Sequence, residues 1–115
     1  MGQLTTHVLD TAHGCPAANM AFTLSRVDES NALISGTTNA DGRVDKPLLQ
    51  GANMQSGLYV LRFEVAAYFR ARGIQLPDPP FFDVVTLEFG IADESAHYHV
   101  PLLVSPWAYS TYRGS

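Results

Sequence analysis

The sequence is poor in several residue types that stabilise or direct small proteins. It contains one cysteine, Cys15, and one lysine, Lys46, among 115 residues. A single cysteine cannot form an intrachain disulfide and provides no cysteine-based metal site. The formal net charge is −4, and no cluster of Lys and Arg occurs. Since nucleic-acid-binding surfaces are typically basic, we expect no nucleic-acid partner.

Long apolar runs are also missing. No segment approaches the roughly 20 apolar residues that a transmembrane helix requires. Residues 1–10 lack the basic start and the apolar stretch of a secretory signal peptide. We therefore expect no membrane partner and a cytoplasmic location, unless a leader has been removed. The length is typical of one domain, so residues 1–115 are expected to form a single unit.

The sequence does contain many short β-type segments separated by turn residues. Alternating or β-branched stretches predict strands at residues 3–9, 20–27, 32–38, 57–65, 81–89, 97–104 and 107–112. Residues 66–72 predict one short helix that ends at Gly73. Turn signals recur about every ten residues, which is typical of a β-sandwich. The predicted fold is therefore an all-β sandwich.

Histidine is the residue type that first indicates chemistry. His97 and His99 stand two apart on a predicted strand, so both side chains should share one face. His7 lies on the first predicted strand, and His13 lies in a turn-rich loop where simple exposure is expected. Histidine can take a proton from water near neutral pH and return it to a leaving group. The spacing is equally compatible with solvated surface histidines.

Two further segments carry polar groups that could act on a substrate. Arg43 follows the Asp41-Gly42 turn, where it could hold an anionic oxygen or simply be a surface charge. The sequence ends in Tyr112-Arg113-Gly114-Ser115, directly after an aromatic stretch. Its spacing alone would describe a frayed end. It follows the aromatic stretch with no linker, which leaves an ordered end open as the alternative.

Four motifs in combination point to one known family. They are His97-Tyr98-His99-Val100-Pro101, the ending Tyr112-Arg113-Gly114-Ser115, the opening Leu4-Thr5-Thr6-His7-Val8-Leu9-Asp10 and the turn Asp41-Gly42-Arg43. Together they resemble the 5-hydroxyisourate hydrolases, the transthyretin-related proteins. The resemblance covers nearly the whole chain, and the terminal motif is its most specific part. Val104 and Trp107-Ala108 depart from the family pattern at positions peripheral to the chemistry.

The resemblance implies a transthyretin-like sandwich of two four-stranded sheets with one short helix. It also implies a homotetramer with sites in a channel between dimers, and no cofactor. Family members hydrolyse 5-hydroxyisourate, the purine-derived product of urate oxidation, to 2-oxo-4-hydroxy-4-carboxy-5-ureidoimidazoline. The matching catalytic residues are His7, Arg43 and His99. The matching substrate-binding residues are His97, Tyr112 and Ser115.

Other functions remain open at this point. A non-catalytic carrier of the transthyretin type would use the same fold and channel, although that lineage lacks the Tyr-Arg-Gly-Ser ending. A zinc hydrolase could use His7, His97 and His99 as three ligands with an open position for water. A purely structural sandwich would not bring the histidines and Arg43 together. We expect direct attack by water, but the sequence does not decide which of His7 and His99 is the base.

Overall fold

The computed structural model describes residues 1–114, which form two β-sheets and one α-helix. The strands are β1 (Gln3–Asp10), β2 (Cys15–Pro16), β3 (Ala21–Arg26), β4 (Ile34–Thr37), β5 (Leu49–Gln50), β6 (Gly57–Glu64), β7 (Val84–Ile91), β8 (His97–Val104) and β9 (Tyr109–Thr111). Helix α1 (Val65–Ala71) follows β6 directly, and a single 3₁₀ turn (Gly51–Asn53) follows β5. The predicted all-β sandwich with one short helix is confirmed.

The two sheets differ in how their strands pair. The first sheet has the order β2-β1-β8-β9, with β5 also paired to β1, and the second has the order β4-β3-β6-β7. β1 and β8 run parallel, whereas the other pairs are antiparallel. The first sheet thus has five strands rather than four, because the two-residue β5 extends it beside the start of β1.

Several predicted strands have different bounds in the structure; the strand expected over residues 32–38, for example, covers Ile34–Thr37. The strand expected over residues 81–89 begins only at Val84, after the proline-rich segment, and continues through Ile91. The final strand covers Tyr109–Thr111 rather than residues 107–112. Trp107 lies instead in a turn, where the Ser105 hydroxyl accepts hydrogen bonds from the backbone N–H groups of Trp107 and Ala108.

The core lies between the two sheets, and strand alternation decides what remains outside it. In β1, Leu4 and Val8 are fully buried, and in β6 the same holds for Phe63. Burying each such side chain stabilises the fold by roughly 1.5–3 kcal/mol. Because successive side chains alternate between faces, the odd-numbered residues of β1 lie on the outer face of the first sheet. Thr5 and His7 are therefore half-buried on the outer face of this sheet.

Candidate active site

The parallel pairing of β1 and β8 creates a polar surface on the first sheet. Thr5 lies opposite His99 in the register, and Gln3 lies opposite His97. Within β8, Tyr98 is buried while His97 is exposed and His99 is half-buried. The two histidines thus share the outer face, as the strand period of two predicts. Residues from the two ends of the chain meet here because of this one pairing.

Arg43 reaches the same surface by way of a tight turn. The backbone of Arg43 bridges to His7, and the Val8 N–H donates to the Gly42 carbonyl at 2.8 Å. Gly42 has φ +75° and lies against the Val8 carbonyl oxygen, so a side chain at this position would collide with β1. The Asn39 side-chain oxygen accepts hydrogen bonds from the N–H groups of Asp41 and Arg43. The turn therefore places Arg43 next to His7.

This turn selects one tautomer of neutral His7. Its Nε2 atom lies 2.9 Å from the Asp41 carbonyl oxygen. A carbonyl oxygen can only accept a hydrogen bond, so Nε2 carries the proton. Neutral His7 consequently has an unprotonated Nδ1, which is the ring nitrogen available to accept a proton.

His99 is contacted by Thr5 of β1 on one side and by Gly114 on the other. Its Nδ1 atom lies 2.8 Å from the Thr5 hydroxyl oxygen. The Gly114 N–H donates to the His99 carbonyl at 2.7 Å. Burial lowers the pKa of the His99 imidazole below the ordinary 6.5, and the charges of Arg43 and His7 lower it further. His99 is therefore neutral near pH 7.

A cavity of about 380 Å³ lies over this surface. Arg43, His97 and His99 line it together with Gln3 and Thr5. Its size falls in the usual range for small-molecule sites, about 300–1,000 Å³. His7 is not among the lining residues, but its backbone bridge to Arg43 places it at the border of the cavity. The structure thus brings His97, His99 and Arg43 into one cavity, with His7 beside it.

The C-terminal segment runs along this site as far as the structure describes it. β9 pairs with β8 through Leu102 opposite Thr111, and Gly114 bridges to His99. The tail therefore contacts β8 along β9 and again at Gly114. The side chain of Tyr112 is 61% exposed, and Tyr112 lines a different cavity of about 460 Å³ beside β7. Its role in substrate binding stays a prediction, and Ser115 lies outside the described residues.

Sequence reasoning missed a second polar cluster at the other end of β1. The buried Asp10 carboxylate accepts hydrogen bonds from the N–H groups of Ala12 and His13 and from the Tyr68 hydroxyl, at 2.8–3.0 Å. His13 Nδ1 also lies 2.6 Å from this carboxylate, so His13 is bonded rather than merely exposed. An Asp followed three residues later by His in a tight turn is the local signal that could have indicated part of it.

The charges of this cluster are tuned by its contacts. Burial by itself raises the pKa of the Asp10 carboxyl, but the hydrogen bonds from Tyr68 and His13 outweigh it, and the pKa lies below the ordinary 3.8. Burial and the Asp10 carboxylate raise the pKa of Tyr68 to about 12. Asp10 is therefore charged and Tyr68 neutral at pH 7, which suits a structural hydrogen bond.

The zinc-site alternative finds no support in the described part of the chain. Within residues 1–114, no three His, Cys, Asp or Glu side chains come together in a way that could hold a metal ion. His7, His97 and His99 thus do not form the three-ligand site considered from the sequence. Across the same residues, no helix is long and apolar enough to cross a membrane.

Comparison with known proteins places these features in a family context. Residues 4–114 match the model described as HIUase/Transthyretin family. A 5-hydroxyisourate hydrolase of Ralstonia nicotianae is 58% identical over 117 residues, covering all of both chains. A 5-hydroxyisourate hydrolase of Pseudomonas aeruginosa is 56% identical and is matched over all of this chain and 93% of its own length.

Solved structures show the same similarity. The 5-hydroxyisourate hydrolase of Klebsiella pneumoniae superimposes over all of both chains with a TM-score of 0.84 and 36% identity. Sea bream transthyretin in complex with thyroxine gives a TM-score of 0.85 at 28% identity, covering 97% of this chain and 94% of its own. An (S)-allantoin synthase gives 0.94 at 44% identity over 99% of this chain, which spans only 44% of that longer chain.

Proposed function

The chain belongs to the HIUase/transthyretin family, and we propose that His7, Arg43 and His99 form the site at which it hydrolyses 5-hydroxyisourate. Its full-length relatives at 58% and 56% identity are named for this activity. The observation that carries the assignment of the site is that Arg43 and His99 line one cavity, while the backbone of Arg43 bridges to His7 beside it. A carrier would not need a proton acceptor beside a cation.

The first step of the proposed reaction is attack by water on a ring amide carbonyl. Nδ1 of His7 takes one proton of the water, and the resulting hydroxide oxygen bonds to the carbonyl carbon. His7 suits this role because its one ring proton is on Nε2, which donates to the Asp41 carbonyl, so that Nδ1 can accept a proton. General base help of this kind contributes about 10²–10⁴-fold.

The second step needs charge stabilisation and then proton return. As the carbonyl oxygen becomes negative, the Arg43 guanidinium stabilises it, which is worth about 10²–10³-fold for one good donor. The carbon–nitrogen bond then breaks, and protonated His7 gives its proton to the leaving nitrogen. The ring opens to a carboxylic acid, which loses its proton to solvent, and His7 returns to its starting state. His99 is neutral and lines the cavity.

A direct assay tests the activity itself. Freshly prepared 5-hydroxyisourate is mixed with the purified full chain, and the decay of its ultraviolet absorbance is followed. We expect decay that is faster than in buffer and proportional to protein concentration. Decay at the rate of the buffer blank would overturn the assignment. In that case the carrier function would be the next hypothesis, since sea bream transthyretin binds thyroxine on a similar fold.

We also propose a homotetramer with sites at the dimer–dimer interface. The site lies on an outer sheet face, where a second copy could cover it. Phe81 and Trp107, whose rings are 5.9 Å apart, are 66% and 60% exposed in the single chain. Exposed aromatic groups of this size are typical of interfaces. Light scattering on the purified protein tests the assembly, and cell fractionation tests the proposed cytoplasmic location.

A further inference from the structure

We infer that Thr5 is a positioning residue for the reaction, and that its hydroxyl holds His99 with the proton on Nε2. This inference rests on the proposed function, because it assigns a role to a contact within the same site. The contact joins Thr5 Oγ1 and His99 Nδ1 at 2.8 Å, between residues 94 positions apart. The two residues are direct neighbours on the parallel strands β1 and β8.

Two neighbours fix the orientation of the His99 ring. Thr5 contacts the Nδ1 edge of the His99 ring, while Gly114 lies against its Cδ2 edge. If the ring turned over by half a rotation, the Thr5 hydroxyl would face a carbon atom and its hydrogen bond would be lost. The two neighbours therefore select one orientation, in which Nε2 is the nitrogen left for a ligand.

The position of the proton on His99 follows from the partners available to the Thr5 hydroxyl. A Thr hydroxyl can donate or accept, so the contact alone allows both directions. Within residues 1–114, His99 Nδ1 is the one protein acceptor that the Thr5 hydroxyl reaches. An unprotonated imidazole nitrogen accepts well, so the hydroxyl hydrogen is best placed on Nδ1. Neutral His99 then carries its own proton on Nε2.

A proton on His99 Nε2 has a direct use in catalysis. A neutral imidazole with an N–H directed at the substrate can polarise a carbonyl, as in triosephosphate isomerase. His99 and Arg43 line the same cavity. The Nε2–H group of His99 and the Arg43 guanidinium can therefore both donate to one developing oxyanion. His7 has the other arrangement, because its proton is on Nε2, which donates to the Asp41 carbonyl, and Nδ1 is unprotonated. His7 thus acts as the proton acceptor, and His99 acts as the hydrogen-bond donor.

Two substitutions at position 5 separate the hydroxyl from the shape of the side chain. Thr5→Val removes the hydroxyl and keeps the branched shape, and Thr5→Ser keeps the hydroxyl. We expect Thr5→Val to lower kcat by about 10- to 100-fold, the scale of a small misplacement at a reacting centre, with KM nearly unchanged. Thr5→Ser should recover most of kcat. Thr37→Val, at an exposed position on β4, is the matched control and should match the parent protein.

A spectroscopic measurement provides a readout that a merely structural role would not change. In the ¹⁵N-labelled full chain, His99 should show a protonated Nε2 and an unprotonated, hydrogen-bonded Nδ1. In Thr5→Val, the Nδ1 signal should move because its hydrogen bond is lost. A proton on Nδ1 in the parent protein, or equal kcat losses in Thr5→Val and Thr5→Ser, would overturn the inference.

The failure of this inference and that of the proposed function give different results. If His99→Asn keeps full activity, the proposed site is wrong. If His99→Asn loses activity while Thr5→Val keeps its kcat and its Nδ1 signal, only the role of Thr5 is wrong.

Discussion

Gly114 approaches the ring of His99 so closely that a Cβ atom at position 114 would lie 2.8 Å from the ring's Cδ2 atom. Carbon atoms that are not bonded to each other attract best at about 3.5–4.0 Å. The glycine is therefore a steric requirement of the site rather than a flexible terminal residue. The final segment of the chain and a central histidine constrain each other.

The first prediction follows from this contact. Gly114→Ala should displace the His99 ring and lower kcat by about tenfold or more, because small misplacements at a reacting centre are costly. The melting temperature should change little, since position 114 lies outside the core. Activity and thermal unfolding are measured together. Gly36→Ala is the control, because its added Cβ would meet only ordinary contacts with Phe22 at 3.5 Å. Full activity in Gly114→Ala would contradict the constraint.

The second prediction concerns the three site residues. His7→Asn, Arg43→Ala and His99→Asn should each lower kcat by roughly 10²-fold or more, the scale of losing one acid–base or oxyanion group. The assembly measured by light scattering should stay intact. Arg70→Ala removes an exposed arginine outside the site and should leave kcat unchanged. If only one of the three substitutions mattered, the shared site would be wrong.

The third prediction is the titration of His99. The groups that face it are His7 on β1, Arg43 on the adjoining turn and His97 on its own strand. Because burial, Arg43 and His7 lower its pKa, its NMR titration midpoint should lie below 6.5. Arg43→Ala removes a positive charge and should raise that midpoint. A midpoint that falls or stays fixed in Arg43→Ala would show that the two groups do not interact.

The fourth prediction concerns stability at the opposite end of β1. Tyr68→Phe removes the hydroxyl that donates to the buried Asp10, which should cost about 1–3 kcal/mol of unfolding free energy. The activity per folded molecule should stay unchanged, because this cluster is not part of the site. Urea unfolding at pH 7 is the measurement. Tyr109→Phe, at an exposed tyrosine, is the matched control.

The pH dependence of this stability has a definite sign. The pKa of Asp10 is lower in the folded chain than the ordinary 3.8. The contribution of Asp10 to the free energy of unfolding is therefore fully present when the pH is above its pKa in the unfolded chain. It is lost as the pH falls through its pKa in the folded chain. Asp10→Asn should flatten that part of the acid stability curve, whereas the exposed Asp28→Asn should not. An unchanged acid limb in Asp10→Asn would contradict the assignment.

The fifth prediction concerns metal. Treatment with a strong chelator, followed by elemental analysis, should leave activity unchanged, because no three metal-binding side chains converge within residues 1–114. Loss of activity that zinc restores would instead favour the three-histidine alternative.

The sequence was informative where the signal is local. The alternation in β1, β6 and β8 is visible in the residues themselves, as is the helix after Glu64. His97 and His99 share a face for the same local reason. Trp107 was placed wrongly, because an aromatic residue is β-compatible while the Ser105 turn beside it gave too weak a signal.

The contacts that orient the site residues could not be predicted from local sequence patterns. The bond between Thr5 and His99 depends on the register between β1 and β8, which no local pattern specifies. The bond between Tyr68 and Asp10 similarly depends on how the helix packs against the sheet. The motif resemblance supplied the residues His7, Arg43 and His99, but not the neighbours that orient them.

The parallel pairing of β1 with β8 also has a consequence for synthesis on the ribosome. β1 emerges well before its partner β8, because strands β2 to β7 and helix α1 lie between them in the sequence. Until then one edge of β1 has unpaired backbone groups, which is the kind of surface that associates with other chains. Nascent chains that stall before β8 should therefore be inactive and should be preferred clients of chaperones.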